Sequence, residues 1–182
     1  FDFTMAFDRE VPLLPVFVWF YILAFPFWAV GYLLAARRGK DMFYRFVATD
    51  LTIHFICFIC FILIPTTNIR PEIAGNTLSE KILALVYSLD GGNSPSNLFP
   101  SIHCYVSWMC WKGVEGSEKV PKWYQRFSLV FAILIIISTQ VLKQHYIVDA
   151  AAALLLVEFF WRFYQKGQRH KWVVHVFAHK KK

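Results

Sequence analysis

Charge is the scarcest ingredient of this chain. Asp, Glu, Lys and Arg make up 17% of its 182 residues, against about 25% in an average soluble domain. Apolar residues reach 57% and aromatics 19%, where a soluble domain has about 45–50% apolar. That balance excludes a water-soluble globule, and the apolar excess has to face lipid. Cysteine is sparse too: Cys57, Cys60, Cys104 and Cys110 all lie inside apolar segments, where cysteine behaves as a small hydrophobe. Cys57 and Cys60 have C-x-x-C spacing, but Phe58 and Ile59 separate them and no second pair follows. Buried thiols are expected there, not a zinc or redox centre. The start carries no basic, apolar, small-residue pattern of a signal peptide. Internal repeats and low-complexity tracts are also lacking.

What is present is basic, with a net charge of +7. The basic residues sit in short clusters between long apolar runs, which is the signature of membrane topology and excludes nucleic acid as a partner. Spanning the hydrocarbon takes about 17–25 helical residues, and five segments come near that length: Val11–Ala36, Phe46–Ile64, Leu98–Val114, Phe127–Leu142 and Tyr146–Phe163. Pro12 and Pro15 stand at the start of the first, Pro26 predicts a kink within it, and Pro100 is placed in the first turn of the third. The loops after the first and third segments and the tail after the fifth hold 15 of the 19 Lys and Arg residues. The other side holds only Arg9, Arg70, Lys81 and Lys143. The larger group is therefore expected in the cytoplasm. A further helix upstream of Phe1 would raise five spans to six.

The expected fold is all-α, a polytopic transmembrane helix bundle with one short interfacial helix. That helix is predicted over Thr77–Leu89, where Leu78, Ile82, Leu85, Val86 and Leu89 recur at helical spacing and Thr77 with Glu80 fits a capping box. Asp90-Gly91-Gly92-Asn93 then makes a turn. Residues 1–166 read as a transmembrane catalytic domain and 167–182 as a basic cytoplasmic tail held against anionic headgroups. Elsewhere in the helices, Asp50 with His54 reads as a structural hydrogen-bond pair and Glu158 with Arg162 as a helix-end ion pair.

Ionisable residues inside membrane segments are costly and mark candidate functional sites. His103 lies one turn into the third segment. His145 and Asp149 open the fifth, four residues apart and so on one helix face. Arg70 lies at the same, non-cytoplasmic end. A histidine oriented by a carboxylate is a good nucleophile or base, a second histidine can give and take a proton near neutral pH, and arginine offers a fork matched to phosphate oxygens. Ser101 and the first-turn amides of its helix add donors for an anion. The set suits phosphoryl transfer through a phosphohistidine, with no metal or cofactor required.

These residues carry a resemblance. Pro100-Ser101-Ile102-His103 resembles the P-S-G-H motif of the type 2 phosphatidic acid phosphatase family. Ser138-Thr139, five residues, His145, three residues and Asp149 resembles its S-R-x5-H-x3-D motif, and Arg70-Pro71 the end of its K-x6-R-P motif. The motifs stand in the family's order over about 80 residues of the chain. The resemblance implies His145 as nucleophile, Asp149 as its orienting acid, His103 as general acid and base, and Arg70, Ser101 and Ser138 as phosphate-binding residues. Leu63, Ile102 and Thr139 depart from the pattern, so two phosphate-binding cations are absent, and Lys143 is expected to replace one. Fewer cations suit a less charged phosphodiester, and the Ser-Thr before His145-Tyr146 also resembles the inositol phosphorylceramide and sphingomyelin synthase branch.

The expectation is an integral-membrane lipid phosphate phosphohydrolase of the plasma membrane, its site facing outside and its partners the bilayer and a lipid phosphate or phospholipid. The alternative is phospholipid headgroup transfer by the same trio. Paired histidines in a helical bundle also ligate haem, a more remote alternative that explains neither Phe99-Pro100-Ser101 nor the His145–Asp149 spacing.

Overall fold

Proline fixes where the first long helix begins. In the computed structural model, which describes residues 1–92 and 95–178 (the side chains of 177 and 178 excepted), Pro15 opens a 3₁₀ turn, Pro15–Phe17, that feeds directly into a long helix. The Leu14 N–H just before it donates to the Val141 carbonyl at 2.9 Å. Asn93 of the predicted turn and Lys180 to Lys182 of the predicted tail lie outside the described residues.

The fold is an all-α helix bundle. A short α1 (Ala6–Glu10) precedes α2 (Val18–Ala36), α3 (Lys40–Leu63), α4 (Leu78–Leu89), α5 (Ile102–Val114), α6 (Lys122–Val141), α7 (Ile147–Gln165) and α8 (Lys171–Ala178). Pro26 stays within an unbroken α2. Ser101 rather than Pro100 marks the start of α5: its hydroxyl accepts the Cys104 N–H at 3.3 Å, so Pro100 stands before the cap and not in the first turn. Between α7 and α8 the chain turns at Gly167, whose φ of +65° favours glycine. α8 then packs on the bundle through Val173, buried with Ala48 and Tyr164, so this part of the expected tail is docked.

Among the described residues three helices, Pro15–Ala36 with its 3₁₀ turn, Lys40–Leu63 and Lys122–Val141, are long and apolar enough to cross a membrane. The other two expected spans fall short for separate reasons. α5 has 13 residues, about 20 Å at 1.5 Å per residue. α7 is longer but carries Asp149, Glu158 and Arg162. The packing explains α5. It contacts α2, α3, α6 and α7, so its surroundings are protein. Leu33, Phe55, Phe58, Ile62, Val130, Leu155 and Phe159 on those four neighbours are exposed instead, an apolar outer surface of the kind lipid covers.

Small residues let α5 sit so deep. A Cβ on Gly31 of α2 would come within 2.5 Å of Cys110 Sγ and 2.7 Å of its Cβ, and one on Gly113 within 3.0 Å of Ala35 Cβ. Close approach at small residues is how membrane helices gain packing without a hydrophobic driving force. Polar links join α2, α3 and α5. Trp28 Nε1 donates to Ser107 Oγ at 2.9 Å, and Tyr32 donates its hydroxyl proton to Asp50 Oδ1 at 2.7 Å. His54 Nδ1 lies 3.5 Å from the same Asp50 oxygen and its Nε2 2.6 Å from the Tyr105 hydroxyl, so the Asp50–His54 pair is part of a network joining three helices. Glu158 pairs with Arg162 at 3.3 Å, as expected, and also with buried Lys112 of α5 at 3.0 Å.

α4 has the predicted capping box: Thr77 Oγ1 accepts the Glu80 N–H at 3.2 Å and Glu80 Oε2 accepts the Thr77 N–H at 3.1 Å. One face of it packs on the bundle. Leu83 and Tyr87 are buried, while Leu78, Leu85 and Leu89 stay exposed, because the helix packs on Val18 and Tyr21 and leaves a second apolar stripe outward.

Gly31→Ala is expected to overpack the α2–α5 contact and destabilise the protein by about 1–3 kcal/mol. A thermal unfolding midpoint in detergent equal to that of the wild type contradicts this packing.

Candidate active site

Four elements deliver their ends to one side of the bundle: the last turn of α3, the start of α5, the last turn of α6 and the start of α7. The segments that link them are stitched together there. Thr66 Oγ1 accepts the N–H groups of Leu98 and Phe99, both at 2.9 Å, and Asn68 Nδ2 donates to the Lys143 carbonyl at 2.9 Å. The Ser101 N–H donates to the Asp149 carbonyl at 3.2 Å, which ties the start of α5 to the start of α7.

The turn into His145 is a helix-ending device. The Lys143 N–H donates to Gln140 O at 3.0 Å and the Gln144 N–H to Thr139 O at 3.0 Å, the paired bonds of a Schellman motif, with Lys143 in the left-handed position at φ 51°. The His145 N–H also donates to Thr139 O, at 3.1 Å. Asp149 is buried, and its Oδ2 accepts the Tyr146 N–H at 2.9 Å. The same oxygen lies 3.5 Å from His145 Nδ1, so the carboxylate faces that nitrogen and leaves Nε2 turned away from it. His103 faces His145 across the gap, with ring centroids 6.2 Å apart and planes at 49°. The cavity between them is about 250 Å³ and is lined by Tyr21, Trp28, Asp90, Asn97, His103 and His145, among others.

The residues expected to bind phosphate are placed less simply. Ser101 is fully buried and spends its hydroxyl as the α5 cap. Ser138 donates its hydroxyl proton to Ile135 O at 2.6 Å, within its own helix. Lys143 turns away: its Nζ donates to Asp8 O at 2.7 Å and Val11 O at 2.5 Å, and burial lowers its amine from the ordinary value. Arg70 is buried behind the cavity. Its guanidinium donates to Asp90 Oδ2 at 2.5 Å, to Gln144 Oε1, and to the carbonyls of Asp90 at 2.9 Å and Gly92 at 3.0 Å. It also lies over the Tyr87 ring at 4.7 Å. Burial pushes the Tyr87 phenol up to about 12, so it stays a donor to the Leu142 carbonyl at 2.7 Å. The structure therefore brings His103, His145, Asp149 and Ser101 together, sets Arg70 one residue back, and leaves Ser138 and Lys143 out.

Several site residues escaped sequence reading. Tyr21 stacks on His103 with centroids 4.2 Å apart, and Trp28 and Phe25 stand at 5.0 and 5.9 Å. Their i, i+4, i+7 spacing on α2 is the signal, hidden because an aromatic stripe in a membrane helix reads first as lipid-facing. Asp90 and Gln144 hold Arg70; only their closeness to the turn and to His145 pointed to them.

Since Lys143 works through its backbone, Lys143→Gly is expected to keep turnover near wild type while Lys143→Val, strained by about 1–2 kcal/mol at positive φ, loses much of it. A raised KM in Lys143→Gly contradicts this and restores a phosphate contact.

No curated protein and no solved structure matches the chain. A family model does, and its span covers both histidines, Asp149 and Arg70 and stops before α8. By that match, over residues 3–162, the chain belongs to the PAP2 superfamily, that of type 2 phosphatidic acid phosphatases.

Proposed function

We propose that the chain is an integral-membrane lipid phosphate phosphohydrolase that works through a phosphohistidine on His145. Membership in the superfamily supports a phosphatase- or phosphotransferase-type activity. The single observation that carries the finer reading is the pair of facing imidazoles, 6.2 Å apart, with a buried carboxylate behind one of them.

The chemistry follows from that geometry. Asp149 holds the proton on His145 Nδ1, and Nε2 attacks phosphorus. As the P–N bond forms, the P–O bond to the lipid alcohol breaks and the departing alkoxide takes a proton from the His103 imidazolium. His103, now neutral, takes a proton from water. The water oxygen bonds phosphorus, the P–N bond breaks, and its electron pair returns to His145. The first-turn N–H groups of Ile102 and His103, which have no partner within the helix, face the growing charge on the equatorial oxygens. Arg70 adds its charge from behind Asp90 and Gln144.

Alongside α2, α3 and α6, α5 and α7 serve as the fourth and fifth spans, with α4 lying at the interface. The basic loops then lie in the cytoplasm by the positive-inside rule, the site opens to the non-cytoplasmic face of the plasma membrane, and the substrate is a lipid. A second reading is favoured by the cations: Lys143 is turned away and the donors of Arg70 are engaged, which suits a singly charged phosphodiester. In that reading an alcohol replaces water, and the enzyme transfers a headgroup between lipids.

Purified protein in EDTA is expected to release phosphate from lipid phosphates, or to form a new phospholipid when diacylglycerol or ceramide is added. His145→Ala is expected to lose activity by at least about 10³-fold, His103→Ala by about 10²–10⁴-fold, and Asp149→Asn by up to about 10⁴-fold. Equal turnover by wild type and the two histidine variants sinks the proposal, as does strict dependence on added metal.

A further inference from the structure

The cavity between the histidines has a wall that hydrolysis of a simple phosphate does not use. Tyr21, Phe25 and Trp28 line it from α2, and Asp90 lines it from the turn after α4. Asp90 spends one carboxylate oxygen, Oδ2, on Arg70, yet its side chain is 52% exposed. Aromatic faces beside a carboxylate form the usual recognition site for an ammonium group. We propose that this wall is a subsite for a cationic headgroup, and that the substrate is a zwitterionic phosphodiester whose ammonium group sits against Trp28, Phe25 and Asp90 while its phosphorus lies between His103 and His145.

Charge supplies an argument independent of shape. The fixed charges around the cavity are one arginine, Arg70, against two aspartates, Asp90 and Asp149. Lys143 is directed to the carbonyls of Asp8 and Val11 instead. Even with His103 as the imidazolium that the mechanism uses, these charges balance, and the site has no positive excess to offer a phosphomonoester dianion. A substrate that carries its own cation meets Asp90 with that cation and the α5 amides with its phosphate. Both ends are then matched, where a dianion leaves Asp90 as a repulsive neighbour.

The subsite rests on the phosphohistidine reading, common to hydrolysis and headgroup transfer, and adds the charge of the headgroup. Its test compares kcat/KM of the purified protein on four lipids with the same diacylglycerol: phosphocholine, phosphoethanolamine, the neutral isostere phospho-3,3-dimethylbutanol, and phosphatidate. Wild type is expected to prefer the two amine-bearing lipids to the neutral isostere by at least about tenfold. The choline and ethanolamine arms separate a cage built for a quaternary group from one built for a protonated amine, and preference for either supports the subsite.

Asp90→Asn keeps an oxygen for Arg70 and is expected to erase most of that preference. Trp28→Leu is expected to reduce it by at least about threefold. The preference is read in each variant as the ratio of kcat/KM on the amine-bearing lipid to that on the neutral isostere, so a loss common to both headgroups cancels. If Trp28→Leu slows charged and neutral headgroups equally, the rings serve only to pack His103 and the subsite is refuted. Turnover of phosphatidate with none of the amine-bearing lipids also refutes it, yet leaves the phosphohistidine enzyme standing. No turnover of any lipid removes both.

Discussion

The Ser101 N–H, donating to the Asp149 carbonyl at 3.2 Å, fastens the start of α5 to the start of α7. The geometry of the candidate site depends on that junction. It sets His103, two residues into α5, against His145, two residues ahead of α7, and it does so with backbone atoms that side-chain motion does not disturb. The two neighbouring devices act on the same point. The Schellman turn at Lys143 aims the chain at His145, and the Tyr146–Asp149 cap holds the carboxylate behind the imidazole. Helix termini carry unsatisfied backbone groups, and here those groups are used to build a site.

Burial of α5 is what makes the arrangement affordable in a membrane. A helix of 13 residues with a histidine, a lysine and a serine is a poor partner for lipid, but four helices enclose it. Gly31 and Gly113 permit the close approach, and Ser107, Tyr105 and Lys112 each find a partner on a neighbouring helix. Arg70 plays a matching part at the rim. It draws the turn after α4 and Gln144 into one cluster, so that Asp90 stands at the cavity mouth.

Much of this was legible in the sequence, for physical reasons. Apolar runs of spanning length gave the all-α bundle, the Thr77–Glu80 box gave α4, and the cost of ionisable groups in lipid singled out His103, His145 and Asp149. The motif resemblance led to the superfamily. What hid was set by direction rather than identity. Ser138 is a short hydroxyl residue inside a helix, and the Ile135 carbonyl claims its proton. Lys143 reads as a cation, yet its left-handed backbone sends the amine away. Arg70 reads as a phosphate fork, but spacing along the chain says nothing of Asp90 and Gln144 beside it. The apolar stripe of α4 was legible, but its buried face, Leu83 and Tyr87, is selected by packing on Val18 and Tyr21.

The central claim is that an imidazole held by Asp149 becomes covalently phosphorylated. Rapid alkaline quench of wild-type protein during turnover, followed by peptide mass spectrometry, tests it directly. The account predicts an acid-labile, base-stable phosphoryl adduct on His145, absent from His145→Ala. Turnover with no adduct on any histidine, or with the adduct on His103, contradicts it.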